Sequence, residues 1–196
     1  MRIFFILLTS FVCGSIPTGY IAVKKCKGVD IRKVGSGNIG STNVKRIAGR
    51  RISIITQIVD ILKGTIPTMI AKLLFHSTAL SFATGFCAIA GHCFTPFLGF
   101  KGGKGVNTTI GAFIVLAPLC TLISIGIYFI FRLTTHIVSV GSIAFALSLV
   151  SCIIISSYSS SIYPSLFTIA VALLIIVQHR ANIMRLIRHQ EKRAQF

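Results

Sequence analysis

Apolar residues run almost unbroken over 3–23, 52–75, 79–98, 108–131, 137–157 and 163–178, and polar or basic residues fill the stretches between. Each run approaches the ~20 residues a helix needs to cross the hydrocarbon core of a bilayer. The pattern predicts an all-α, polytopic integral membrane protein, a single domain over 1–196 with no internal repeat and no linker. The first run has some features of a signal peptide, but it extends to Val23 with no clear small-residue cleavage site after it, so it reads as a retained helix.

Charge turns this pattern into a topology. The connecting stretches 24–51, 99–107 and 179–196 carry nine, two and five Lys or Arg, whereas 76–78 and 158–162 carry none. The positive-inside rule places the three basic stretches in the cytoplasm. The N-terminus is then outside, and six crossings would leave the basic tail outside too, so the number of crossings must be odd. Gly111 and Pro118 interrupt the run 108–131, which reads as two short or tilted spans returning the chain at Arg132 and giving about seven helices. The alternative is five full crossings with a segment such as 163–178 re-entrant. Either count keeps the basic stretches on one face.

Composition agrees: 54% of residues are hydrophobic and only 12% charged, where a soluble domain carries about a quarter. A formal charge of +17 would suggest nucleic acid in a soluble protein, but here it flanks the membrane runs, and that argument falls away. Cys13, Cys26, Cys87, Cys93, Cys120 and Cys152 form no CxxC pair and read as small hydrophobes without a disulfide or zinc framework.

Two basic loops carry the candidate chemistry. Gly35-Ser-Gly-Asn-Ile-Gly40 matches the dinucleotide fingerprint, and Asp60 lies 20 residues beyond its last glycine, but no buried strand precedes it and Asp60 sits in a membrane-length helix. What remains is a flexible loop whose amides at Gly37 and Gly40, with Ser36 and Asn38, can meet an anion. Thr42 or Asn43 would cap a short helix with Lys45 and Arg46 in its first turns. The plainer alternative is a basic loop lying on anionic headgroups. Phe100-Lys-Gly-Gly-Lys-Gly-Val-Asn-Thr-Thr109 resembles a P-loop but has Gly105 after Lys104 and Leu98 at the leading glycine position, and no acid is spare for magnesium. Lys104 with Gly102, Gly103 and Gly105 at a helix start still makes a phosphate cradle.

In the second run Gln57, Asp60, Lys63, Gly64 and Pro67 share one helical face, and Asp60 and Lys63 should neutralise each other inside the bundle, as a structural clamp or as catalytic groups. Lys72 reads as a snorkelling residue and His92 as a satisfied interhelical histidine. Ser139 and Ser142 line a pocket or pack as small polar residues, and His179 and Asn182 share a face at the inner end of the last crossing.

In order, Gly14-Ser-Ile-Pro-Thr-Gly-Tyr20, Gly35 to Asn43 with Arg46, Asp60-Ile-Leu-Lys-Gly64, Gly91-His92, Phe100 to Val106 and His179-Arg-Ala-Asn-Ile-Met-Arg-Leu186 resemble the bacterial acyl-phosphate:glycerol-3-phosphate acyltransferase family over essentially the whole chain. Ser41 and Asn107 stand where that family's patterns have alanine. The resemblance implies a seven-helix enzyme of phospholipid biosynthesis in the bacterial inner membrane. It would move an acyl group from acyl phosphate to the 1-hydroxyl of glycerol 3-phosphate, giving lysophosphatidic acid. It also implies a soluble partner that makes the acyl phosphate. The His-x4-Asp dyad of the other large acyltransferase class is absent, since Ser81, Phe97, Gly141 and Met184 lie five residues after His76, His92, His136 and His179.

On that footing Ser36, Asn38, Thr42, Asn43 and Arg46 hold one phosphate and Lys104 with the glycine amides the other. His179 and Asn182 position glycerol 3-phosphate, with Lys63 and Ser142 as further substrate contacts, and the substrate's own phosphate serves as base. Membrane lipid is the setting, and neither a coenzyme, a metal nor nucleic acid is called for. A transporter of organic phosphates and a lipid-binding scaffold are the rival classes.

Overall fold

Proline and glycine decide where the helices break. In the computed structural model, which describes residues 1–157 and 161–193, the first apolar run is two helices, α1 (Arg2–Ser15) and α2 (Thr18–Lys27). Pro17 drives Ile16 out of the helical region to φ −57°, ψ 115°. Two side chains from elsewhere meet carbonyls at this break: Thr95 Oγ1 donates to Ser15 at 2.6 Å and Lys63 Nζ to Ile16 at 3.0 Å. The short helix expected after the first loop and the second apolar run join as α3 (Ser41–Phe75), kinked at Gly49, whose φ of 84° is a conformation that side-chain-bearing residues rarely adopt.

The interruption expected in 108–131 is present. Ala117, at φ −147° and ψ 71° before Pro118, separates α5 (Val106–Leu116) from α6 (Pro118–Thr135). Gly111 lies inside α5 and breaks nothing. α4 (Thr78–Cys93), α7 (Val138–Ser157), α8 (Tyr163–Gln178) and α9 (Arg180–Ile187) complete the described chain, which contains no strand. The connection 158–162 falls partly outside the described residues, as do the last three residues of the basic tail.

By length and composition four stretches of the described residues can cross a membrane: Arg2–Lys27, Thr78–Leu98, Pro118–Thr135 and Val138–Ser156. α8 with α9, bent by 57° at their junction, would make a fifth. α5 is apolar but has 11 residues, ~16 Å of helix. Large apolar side chains such as Phe4, Leu74, Leu119 and Ile155 face outward, as lipid contact requires.

The chain divides into two compact units, Met1–Val115 and Leu116–Phe196. In the first, α1 packs on α4 through small residues. A Cβ at Gly14 would overlap the Ala88 carbonyl and one at Gly91 the Phe11 carbonyl, while Ser10 Oγ donates to Thr84 O at 2.7 Å. α3 buries Ser53, Thr56, Asp60, Lys63, Gly64, Pro67, Thr68 and Ala71. Gln57, expected on this face, is exposed. In the second unit Phe145, Leu149 and Ile153 of α7 and Thr168, Val171, Ala172 and Ile175 of α8 form the buried stripes, each at helical spacing.

Candidate active site

The first loop rests on an apolar plug. Val23 of α2, Ile31, Ile39, Val44 of α3 and Leu98 form a buried cluster with Tyr20, Ile47, Ala48 and Ile52 around it. Beside it, Asp30 accepts from the Arg32 amide at 2.9 Å and pairs with the Arg32 guanidinium at 2.6 Å. These hydrogen bonds hold the Asp30 carboxyl down to a pKa of about 2.

Within the loop Asn43 is the organiser. It is buried, its Oδ1 accepts from the Ser36 amide at 2.9 Å, and its Nδ2 donates to Val34 and Asn38 carbonyls at 3.1 and 3.0 Å. Its amide protons are therefore committed inside the loop, which corrects both its expected cap role and its expected contact with phosphate. Gly40, not Thr42 or Asn43, is the N-cap of α3. Asn38 Oδ1 accepts from the Gly40 amide at 2.8 Å, and the Gly37 amide donates to Val34 O at 3.1 Å. The exposed groups on this side are Ser36, Thr42, Lys45 and Arg46.

The second loop lies against the end of α4. The Gly102 and Gly103 amides donate to the Cys93 and His92 carbonyls, both at 3.0 Å, so these two N–H groups, expected on phosphate, are already used. A Cβ on Gly103 would collide with His92 Nε2, so only glycine allows this approach. Lys104 is half-buried, and Gly105 turns the chain at φ 81° into α5. The first-turn amides of α5 have no partner within the helix, which leaves an electropositive end beside Lys104. Thr108 and Thr109 in that turn have buried hydroxyls with no hydrogen-bond partner among the described residues.

Behind the loop lies the expected ion pair. Lys63 Nζ is 2.8 Å from Asp60 Oδ1, and both residues are almost wholly buried. His92 Nδ1 lies 3.8 Å from the same oxygen, beyond hydrogen-bond reach, and has no hydrogen-bond partner among the described residues, so it is not the satisfied interhelical histidine expected. Lys63 is thus tied to Asp60 and Ile16 and is enclosed, not presented as a substrate contact. Lys72 donates to Val115 O at 2.7 Å, capping the end of α5.

In the second unit His179 and Asn182, expected on one helical face, stand at the corner between α8 and α9. His179 ends α8 and is the N-cap of α9, and both it and Asn182 are buried. His179 Nδ1 is 2.8 Å from the Ile175 carbonyl. A carbonyl only accepts, so Nδ1 carries the proton of this contact. Ser142 Oγ donates back to Val138 O at 3.0 Å.

Glu191 is the residue that sequence reasoning missed. Its Oε1 accepts from Asn182 Nδ2 and from Ser139 Oγ at 3.0 Å, and its Oε2 from Arg185 Nε at 2.6 Å. The scarcity of acids was the available signal. Burial alone would raise its pKa, but the hydrogen bonds from Arg185, Asn182 and Ser139 outweigh that and hold it below its ordinary 4.5. A depressed folded pKa contributes stability above the unfolded value and loses it as pH falls through the folded one. The thermal midpoint of the wild type should therefore exceed that of Glu191→Gln by a constant margin at neutral pH, and the margin should close below about pH 4.5. A margin independent of pH would show that the carboxylate charge is not what matters.

These features define an all-helical integral membrane protein with two glycine-rich basic loops at helix N-termini. The chain belongs to the glycerol-3-phosphate acyltransferase family, whose pattern it matches over residues 4–189. It is 47% identical over 194 residues to the glycerol-3-phosphate acyltransferase of Clostridium acetobutylicum, with 95% of this chain and 96% of the relative covered. It is 44% identical over 193 residues to that of Endomicrobium trichonymphae, covering 98% and 96%. The crystal structure of PlsY, an integral membrane glycerol 3-phosphate acyltransferase, in its glycerol 3-phosphate form matches with a TM-score of 0.94 at 35% identity, covering 100% of this chain and 96% of that one. The lysophosphatidic acid form of PlsY matches at 0.91 and 34%, with the same coverage.

Proposed function

We propose that this acyltransferase takes its acyl group from acyl phosphate and places it on the sn-1 hydroxyl of glycerol 3-phosphate, releasing lysophosphatidic acid and phosphate. The carrying observation is that the first unit presents two cationic groups at helix starts, Arg46 in the opening turns of α3 and Lys104 just before α5, with the two starts joined by a hydrogen bond from Asn107 Nδ2 to Ser41 Oγ. Two cradles suit a reaction in which both substrates carry a phosphate.

An acyl phosphate is already an activated mixed anhydride. The protein need only align the hydroxyl, screen repulsion between phosphates and stabilise the oxyanion. The hydroxyl oxygen attacks the acyl carbon, its proton passes to a phosphate oxygen of the substrate, and the tetrahedral intermediate collapses by breaking the bond to phosphate. No acyl-enzyme forms.

Ser36, Asn38, Thr42 and Arg46 are assigned to one phosphate, and Lys104 with the Gly105 amide and the first turn of α5 to the other. His179 and Asn182 with Ser142 are assigned to glycerol 3-phosphate. Asn43, Gly37 and Gly40 shape the first loop, and Gly102 and Gly103 seat the second. Residues 1–196 act as one domain, a reading supported by the family match running through both units. We place the protein in the bacterial inner membrane, spanning it seven times with the basic loops and C-terminus inside, where a soluble enzyme supplies the acyl phosphate.

The test is to incubate purified, detergent-solubilised protein with radiolabelled glycerol 3-phosphate and either palmitoyl phosphate or palmitoyl-CoA. Labelled lysophosphatidic acid should form from palmitoyl phosphate alone. Product from palmitoyl-CoA alone would overturn the donor assignment, and none from either, in folded protein, would favour transport.

A further inference from the structure

Resting on that reading of the two loops, we infer that the Ser41–Asn107 hydrogen bond is a positioning clamp that sets the spacing of the two phosphate cradles. Ser41 is the first residue of α3 and Asn107 the second of α5, and Asn107 Nδ2 donates to Ser41 Oγ at 3.2 Å with both groups partly buried. The cationic groups of the two cradles stand close by in sequence, Lys104 before Asn107 and Arg46 after Ser41.

The need for such a tie follows from the shape of α3. The segment Ser41–Ala48, which carries Arg46, is separated from the membrane-length part of the helix by Gly49, at φ 84° and ψ 177°. A broken helix does not transmit the direction of one half to the other. The apolar plug holds this segment through Val44, Ile47 and Ala48. It leaves the polar edge facing α5 to be fixed by polar contacts. Ser53, beyond the kink, donates its hydroxyl to the Ser41 carbonyl at 2.8 Å, and Asn107 reaches the Ser41 hydroxyl. Ser41 is therefore where α3 before the kink, α3 after it and the start of α5 are joined. The deeper part of the α3–α5 contact is set separately, by Thr65 Oγ1 on the Gly111 carbonyl at 3.0 Å, so losing the clamp frees the loop ends without separating the helices.

A single neutral hydrogen bond adds little to stability. Its kinetic weight is larger, because a displacement of about 1 Å between reacting groups can cost up to ~100-fold in rate. Ser41 and Asn107 are positioning residues on this account: they act through the cradles and contact no reacting atom.

A double-mutant cycle tests the clamp. Wild type, Ser41→Ala, Asn107→Ala and the double variant are assayed with palmitoyl phosphate and glycerol 3-phosphate, and thermal midpoints are recorded in the same detergent. Each single change should lower kcat about tenfold with the KM for glycerol 3-phosphate within about twofold, since each cradle stays intact and only their spacing relaxes. The double variant should be no slower than either single variant, and the exchange Ser41→Asn with Asn107→Ser should restore most of kcat. Single variants as fast as wild type, a double variant slowed by the product of the two single effects, or rate losses matched by loss of folded protein would each overturn the inference. Wild type inactive with every donor would instead overturn the acyltransferase reading beneath it, so the two failures are told apart by the first tube.

Discussion

Replacing Lys104 with Ala should lower turnover by ~100- to 1,000-fold, the scale of removing one preorganised charged or hydrogen-bonding group from a developing oxyanion or phosphate. The ammonium stands half-buried one residue before Gly105, at the start of α5, where first-turn amides add their own positive potential. The seat of the second loop is made by Gly102 and Gly103 on the α4 carbonyls, so the thermal midpoint should be little changed. Lys104→Arg, which keeps the charge in a wider, planar head, should retain part of the rate with a raised KM for the substrate whose phosphate this loop holds. Lys27→Ala, removing an equal charge from the exposed end of α2, should leave turnover within about twofold of wild type. A Lys104→Ala enzyme of near-normal rate would falsify the assignment of this loop to phosphate.

How far the sequence carried the reading differs from residue to residue for physical reasons. Apolar length located the helices, and Pro118 marked the α5–α6 break because proline disfavours the helical conformation of the residue before it. The equivalent break at Pro17 lies inside a run that remains apolar on both sides, so hydropathy hid it. The short arm of α3 was legible from its polar cap candidates and basic first turns and not from hydropathy, because a polar helix gives no hydrophobic signal.

Side-chain roles were harder. Asn43 and Ser36 have the same polar character in the sequence, yet one is buried and points back into its own loop while the other is exposed. Polarity alone does not say which partner a donor will find. Likewise the amides of Gly102 and Gly103 were expected to face an anion, but two carbonyls at the end of α4 already accept from them. Glu191 escaped notice because its partners Ser139, Asn182 and Arg185 come from two helices that only the fold brings together.

Breaking the Asp60–Lys63 pair should have the largest effect on stability. Both side chains are almost fully enclosed and 2.8 Å apart, and removing one partner of a buried pair costs about 3–5 kcal/mol because a charge is left without compensation. Asp60→Asn should be the worse variant, since the buried Lys63 ammonium would keep neutral acceptors such as the Ile16 carbonyl but lose its counter-charge. Lys63→Met should be milder, because His92 Nδ1 already lies 3.8 Å from Asp60 Oδ1 and can close on it. The double variant Asp60→Asn with Lys63→Met leaves no unpaired charge and should recover most of the thermal midpoint in detergent. Activity then separates the two roles the sequence left open. The pair sits behind the second loop, with His92 between it and Gly103, and neither residue is exposed to a substrate. A double variant that is both stable and active within about tenfold of wild type is therefore the expected result and makes the pair a clamp. A double variant that folds normally yet turns over no substrate would assign the pair a part in the chemistry, with His92 as the path by which it reaches the loop.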